Sequence, residues 1–259
     1  MKCRYHRSAR IVITWAFATA LTSAVFLELF FFRQRMFVPA SLAEKTAKFR
    51  LVKAFPFIKE NSLKEWEGKV FKGKVMYRIE KERGVSYVRA SSDNSASALY
   101  YRIKMDAKNR RPTMKWKWSV EKFPTKKAPE VLGGETEDDF AARVYVIFPA
   151  MFITNWKVLE YIWAETIPSG TIGTSPYSKN IKLIVLEQGL NKDKKWASEE
   201  RDIYSDYVKL FGRKPEYNIG AIAFMTNTEH TGTSADAMYG DIAIGYREDP
   251  DVKKEGGRP

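Results

Sequence analysis

From Phe49 to Tyr246 the apolar residues of this chain recur mainly at every second position rather than every third or fourth. Side chains alternate between two faces only along an extended strand, so the pattern commits this stretch to half-buried β-structure. The cleanest run is Met114-Lys115-Trp116-Lys117-Trp118-Ser119-Val120-Glu121, with Met114, Trp116, Trp118 and Val120 on one face. Leu99, Tyr101, Ile103 and Met105 repeat the pattern just before it, and further strands are expected over 75–80, 85–90, 140–148, 158–165, 181–186, 219–225 and 242–246. Turn-forming groups separate them: Arg83-Gly84, Asn109 with Pro112, Gly133-Gly134, Pro168 to Gly173, and Gly189 to Asp193. One interior stretch has helical spacing, with Ile203, Tyr207, Leu210 and Phe211 on one face, Gly212 as a stop and Pro215 beyond it. Many short strands, one short helix and no strand–helix–strand alternation predict a mostly β fold, an antiparallel β-sandwich of jelly-roll type. The domain is expected over residues 49–247, with 248–259 as a flexible tail.

Residues 1–48 follow a different rule. After the basic start Lys2-Cys3-Arg4-Tyr5-His6-Arg7, residues 11–32 are apolar apart from three Thr, Ser23 and Glu28. A spanning helix needs roughly 20 such residues, more than the apolar core of a signal peptide. Arg33 and Arg35 close the segment, and Glu28 is near enough to its end to reach the interface. The expectation is an N-terminal transmembrane helix, with four bases ahead of it favouring a cytoplasmic N-terminus. That orientation is expected to export the domain, held by a single-pass chain. The alternative is secretion after cleavage, for which Ser41-Leu42-Ala43 offers small residues.

Charge and the scarce reactive side chains remove several functions. The net charge is +13, but residues 1–50 hold nine Lys or Arg against two acids, so about half the excess belongs to the targeting end. With no zinc-finger, helix-turn-helix or RNA-binding signature, nucleic acid is not expected as a partner. The one Cys is Cys3, and of two His only His230 lies in the domain. A cysteine nucleophile, a Cys-based zinc site and a two-His metal site within one chain are therefore excluded. No Gly-x-Ser-x-Gly elbow and no phosphate-binding glycine loop appears.

Three constellations remain. Four carboxylates, Glu135, Glu137, Asp138 and Asp139, cluster ahead of the strand that carries Arg143 and Tyr145. Neighbours in a strand face opposite ways, so Asp138 and Asp139 can share a ligand only in a loop; such a loop could hold a hard cation, act as acid and base, or simply be solvated. A second polar stretch, Thr226-Asn227-Thr228-Glu229-His230-Thr231-Gly232, precedes Tyr239-Gly240-Asp241-Ile242. Asn227, Glu229, Thr231 and Gly232 mimic the opening of a calcium loop, but Met238 stands where its closing Glu belongs. The third is a face: opposite the apolar residues lie Tyr100, Arg102, Lys104, Lys115, Lys117, Arg143 and Tyr145, which form one basic, tyrosine-bearing surface provided these strands pair. Trp116 and Trp118 are expected in the core, while Trp66, Trp156, Trp163 and Trp196 could present rings to sugars or finish the core.

Met114 to Val120 (MKWKWSV), Asp138 to Phe148 (DDFAARVYVIF), Tyr161-Ile162-Trp163, Trp196 with Glu200-Arg201-Asp202 and Asp206-Tyr207, Met225 to Gly232 (MTNTEHTG) and Tyr239-Gly240-Asp241-Ile242 together resemble an uncharacterised bacterial family, domain of unknown function 3047. The resemblance implies an exported protein without an established activity, and with the N-terminal segment it implies a single-pass protein of a bacterial inner membrane with its domain in the periplasm, or one secreted to the periplasm after cleavage. In that family the later loop is more acidic than here, where Asn227 and Glu229 stand. The order of motifs is also similar to galactose-binding jelly rolls, which implies a structural calcium near a late Tyr-x-Asp-Ile strand.

The expected function is non-catalytic ligand binding, to a glycan or to an anionic envelope polymer. The expected ligand-binding set is Asp138, Asp139, Arg143, Tyr145, Asn227, Glu229, His230 and Asp241, with Asp139, Glu229 and Asp241 as ligands for Ca²⁺. The alternatives are a glycan hydrolase or lyase using Asp139 or Glu229 with His230, or a purely structural envelope module. The binding readings require the two polar loops to meet.

Overall fold

The computed structural model describes residues 48–134, 138–190 and 196–248. The expected membrane segment 11–32, residues 135–137 of the acidic run 135–139, residues 191–193 of the expected turn and the tail beyond Glu248 lie outside the described residues. Among the described residues no helix is long and apolar enough to cross a membrane.

The strands are β1 (Lys48–Phe55), β2 (Glu67–Lys72), β3 (Met76–Glu82), β4 (Val85–Asp93), β5 (Ala96–Met105), β6 (Pro112–Lys122), β7 (Ala142–Phe148), β8 (Lys157–Ala164), β9 (Ile172–Ser175), β10 (Ser178–Gln188), β11 (Ala197–Asp202), β12 (Ile219–Asn227) and β13 (Ser234–Glu248), with helix α1 (Ile203–Phe211) between β11 and β12. They form two sheets. The first runs β11-β6-β13-β4-β3 with β1 also on β13, and the second runs β2-β5-β12-β7-β8-β10-β9. All pairs are antiparallel except β8 and β10, which are parallel and joined through residues 165–177 and the short β9. The molecule is thus a two-sheet, jelly-roll-like sandwich with one short helix.

Alternation builds the interior. Met114, Trp116 and Trp118 on β6 are at most 2 % exposed, and their lysine neighbours point away. Trp116 meets Tyr161 of the other sheet at 5.3 Å between ring centroids, and Trp118 meets Trp163 at 5.6 Å. Burying each such side chain stabilises the fold by about 2–3 kcal/mol before entropy is charged against it. Helix α1 starts where Asp202 Oδ1 accepts the Ser205 N–H at 2.9 Å and stops at Gly212, whose φ of 69° suits a residue without Cβ. Arg201 pairs with Asp206, which also accepts from Tyr161 at 2.9 Å, so the helix is tied to the sandwich. All the buried apolar residues among those described fall between Phe55 and Tyr246, within the compact unit that begins at Ala47.

The expected single basic face does not form. Strands β5 and β6 belong to different sheets, so Lys115 and Lys117 sit on the outside of the first sheet while Tyr100, Arg102, Lys104, Arg143 and Tyr145 belong to the second. Arg143 is buried, and Lys115 pairs with Glu200 at 2.8 Å.

Candidate functional site: a cleft on the outer face of the second sheet

The cleft arises from a choice of small residues. On β12, Ile222 and Phe224 point into the sandwich, while Ala221 and Ala223 point out and leave the middle of the sheet bare. To one side the outer face is covered by a second apolar cluster, in which Phe140 and Ile167 pack on Ile162, Leu183 and Val185. What stays open is a depression of about 900 Å³, near the top of the usual range for ligand pockets.

One end of it is polar. There the loop before β7 meets the turn after β12, because antiparallel pairing of β7 with β12 sets the start of one beside the end of the other. Asn227 Nδ2 donates to the Asp138 carbonyl at 3.0 Å and to Asp139 Oδ1 at 2.8 Å, while its own Oδ1 accepts the Phe140 N–H at 3.2 Å. Asp139 Oδ2 accepts the backbone N–H groups of His230 and Thr231 at 3.1 and 2.6 Å. Burial alone would raise the Asp139 carboxyl, but these donors outweigh it and hold it below its usual range. Asp139 is fully buried; it ties the two loops together.

Arg143 lies on the floor between two carboxylates. Its Nη1 donates to Glu160 Oε1 at 2.8 Å, and its Nη2 lies 3.1 Å from Asp138 Oδ1. Burial disfavours the guanidinium charge, yet Asp138 and Glu160 keep it well above its ordinary value. For Glu160 burial dominates and pushes the carboxyl up to about 7 against the pull of Arg143. Tyr145, on the same strand, has its hydroxyl held well above its ordinary value by burial and by the Glu160 charge. Two buried atoms of this floor, Asp138 Oδ1 and Arg143 Nε, have no hydrogen-bond partner among the described residues, the 3.1 Å ion pair being poorly aligned for one. Such atoms cost about 1–3 kcal/mol each unless a ligand or water meets them.

The β9–β10 turn reaches across this end. A register shift between Ser178 and Lys182 bends β10, and Tyr177 meets His230, its hydroxyl 2.8 Å from Nε2 and the rings 17° from parallel. His230 Nδ1 faces Asp139 Oδ1 at 3.4 Å and Glu229 Oε1 at 3.5 Å. Burial raises the Glu229 carboxyl.

Seven of the eight expected site residues therefore converge. Asp241 does not: it is exposed on β13, in the other sheet, where pairing with β6 skips between Tyr239 and Ile242. Asp139, Glu229 and His230 each bring one possible ligand atom within 4.8 Å of the others. That set does not fit calcium, which takes six to eight oxygens; one of the three is a nitrogen and the Asp139 oxygens already accept N–H groups. Of the tryptophans, Trp66 and Trp163 are buried, Trp196 packs on Tyr87, and Trp156 lines the cleft. Sequence reasoning passed over Glu160 and Tyr177. Glu160 stands alone in an apolar strand, a legible signal; Tyr177 follows a proline in a turn and carries none.

No curated protein matches the chain. Among solved structures it is similar to the family 11 carbohydrate-binding module of the cellulosomal cellulase Lic26A-Cel5E of Clostridium thermocellum, with 10% identity, a TM-score of 0.40, and coverage of 79% of this chain and 98% of that one. It is also similar to endoglucanase cel12A from Rhodothermus marinus, with 11% identity, a TM-score of 0.42, and coverage of 71% and 97%. These likenesses are of fold alone, and one neighbour is a binding module while the other is an enzyme. Residues 64–243 match the family described as protein of unknown function (DUF3047), and the chain belongs to that family.

Proposed function

We propose that this domain is a non-catalytic binding module that takes a saccharide unit in the polar end of the cleft, on the periplasmic side of a bacterial inner membrane. The observation that carries the reading is the floor itself: beyond the 3.1 Å ion pair between them, buried Asp138 and Arg143 carry an acceptor and a donor without a hydrogen-bond partner among the described residues, and Tyr145 and Tyr177 line the same cleft with flat apolar surfaces. Hydroxyl groups of a sugar both donate and accept, and its C–H faces stack on aromatic rings, so one ligand can meet all four. The hydrolase or lyase alternative loses Asp139 as acid or base, since both its oxygens hold backbone or amide N–H groups. Residues 11–32 would tether the domain, or be removed to release it.

The test is a glycan array probed with the chain from Ala47 onward, repeated with Tyr177→Ala, a substitution at a side chain 60 % exposed. The expected result is a defined set of bound glycans whose affinity falls roughly tenfold in the variant, a loss of about 1.4 kcal/mol. An array with no glycan bound, or binding indifferent to Tyr177, overturns the reading.

A further inference from the structure

The cleft changes character along the strands. Two residues up each strand from the polar floor, or about 7 Å, the outward positions become Ala221, Ile147, Val158 and Ile181. These are direct neighbours across β12, β7, β8 and β10, so they make one unbroken apolar row. Ile153 and Trp156, from the loop between β7 and β8, close this end. The loop sits directly on the floor: a Cβ at Gly220 would come within 2.4 Å of Pro149 Cγ. Its tip then carries the apolar surface out of the cleft, with Met151 91 %, Phe152 64 % and Ile153 73 % exposed in sequence. Three consecutive large apolar side chains in solvent are unusual for a soluble domain and mark a contact surface.

A free polysaccharide leaves that half of the cleft without a use, because a row of Ile, Val and Ala offers its hydroxyl groups no partner. From this juxtaposition we propose that the ligand is an amphiphile, a saccharide head bearing an alkyl or acyl chain, with the head on the Arg143 floor and the chain along the Ile147–Val158–Ile181 row toward Met151 and Phe152. The proposal rests on the saccharide reading for its head only; the chain is argued from the apolar row alone.

The probes are octyl, decyl and dodecyl β-maltoside, each below its micellar concentration, titrated by calorimetry into the chain from Ala47 onward, which lacks the apolar segment 11–32 that would itself take up detergent. Burying methylenes predicts tighter binding by on the order of tenfold for each two-carbon step. In the double variant Ile153→Ser and Trp156→Ser, both at exposed positions, the increment per step falls at least threefold, while Ile58→Ser, 63 % exposed outside the cleft, leaves it unchanged. A series whose affinity does not rise with chain length, no binding by the dodecyl member, or an increment untouched by the double variant overturns the proposal. The glycan array reads the head and the chain-length increment reads the apolar row, so failure of the saccharide reading and failure of the apolar-row assignment are told apart.

Discussion

Glu160 is the residue whose ionisation is most at odds with its surroundings. It is buried in the cleft floor, and although Arg143 attracts its charge, desolvation wins and lifts the carboxyl from 4.5 to about 7. A carboxyl with a raised folded value binds more protons in the native chain than in the unfolded one. Its contribution to stability is therefore whole below the unfolded value and is lost as pH rises from about 4.5 to 7. Glu199, also lifted to about 7 by burial, adds a contribution of the same sign. Asp139 works oppositely: its value is depressed, so its contribution is whole above the ordinary 3.8 and is lost as pH falls through the lowered one. We expect denaturant-measured stability to decline between pH 5 and 7, and Glu160→Gln to reduce that slope by up to about 1.4 kcal/mol per pH unit, the limit for one proton. Identical slopes in the two proteins would show that Glu160 ionises normally. If the ligand is the saccharide proposed above and one of its hydroxyl groups donates to Glu160, the ionised form is favoured, and binding near neutral pH is expected to release protons.

At the scale of elements, β12 shapes the cleft through what it omits. Gly220 lies under the ring of Pro149, where an added Cβ would stand 2.4 Å from Cγ and 2.6 Å from Cδ. A proline ring cannot rotate out of the way, so Gly220→Ala must lift the 149–156 loop from the sheet. The expected cost is about 1–3 kcal/mol, with faster hydrogen exchange confined to 149–156; protection unchanged in that loop would refute the account. The strands that carry the sandwich were legible because alternation reports burial on one face, as in β6. Strand β11 was not, since Ala197-Ser198-Glu199-Glu200-Arg201-Asp202 is an edge strand with Ala197 as its buried apolar residue. Nor was the parallel partnership of β8 and β10, which is set by the path of residues 165–177 rather than by either strand's own pattern. The same division applies to the site. Convergence of Asp139 with Asn227 and His230 follows from polar stretches at adjoining strand ends. The exclusion of Asp241 depends on which sheet β13 joins, and strand periodicity carries no information about that.

For the molecule as a whole, the decisive feature is that apolar and cationic groups gather at one end of the sandwich. The end is defined by Met105 paired with Ile219, by Gly220 against Pro149, and by the Asp106 N–H bound to Tyr246 Oη at 2.8 Å. Lys48, where the described chain starts, pairs with Glu248 at this same end. On the strand that follows the exposed Met151-Phe152-Ile153 tip, Lys157 is held below its ordinary value by burial and by the charges of Arg213, Lys179 and Lys182, against the opposing pull of Glu216, which pairs with Arg213 at 3.0 Å; Lys104 and Lys108 share a surface pocket with Pro149. An apolar tip on an end that carries an excess of lysines suits the interface of an anionic leaflet, where each Lys or Arg near the surface contributes about 1 kcal/mol and apolar residues bury into the acyl boundary. The chain from Ala47 onward is thus expected to float with phosphatidylglycerol-containing vesicles and not with phosphatidylcholine alone. Salt near 1 M, which shortens the Debye length to about 3 Å, removes most of that binding, and replacing Met151, Phe152 and Ile153 together by Ser lowers it at least fivefold at low salt. Equal flotation with both lipids, or binding that ignores the triple replacement, would mean that this end faces something other than a bilayer. Were the tip seated in such an interface, the amphiphile proposed above would reach the Arg143 floor with its chain along the Ile147–Val158–Ile181 row, shielded from water.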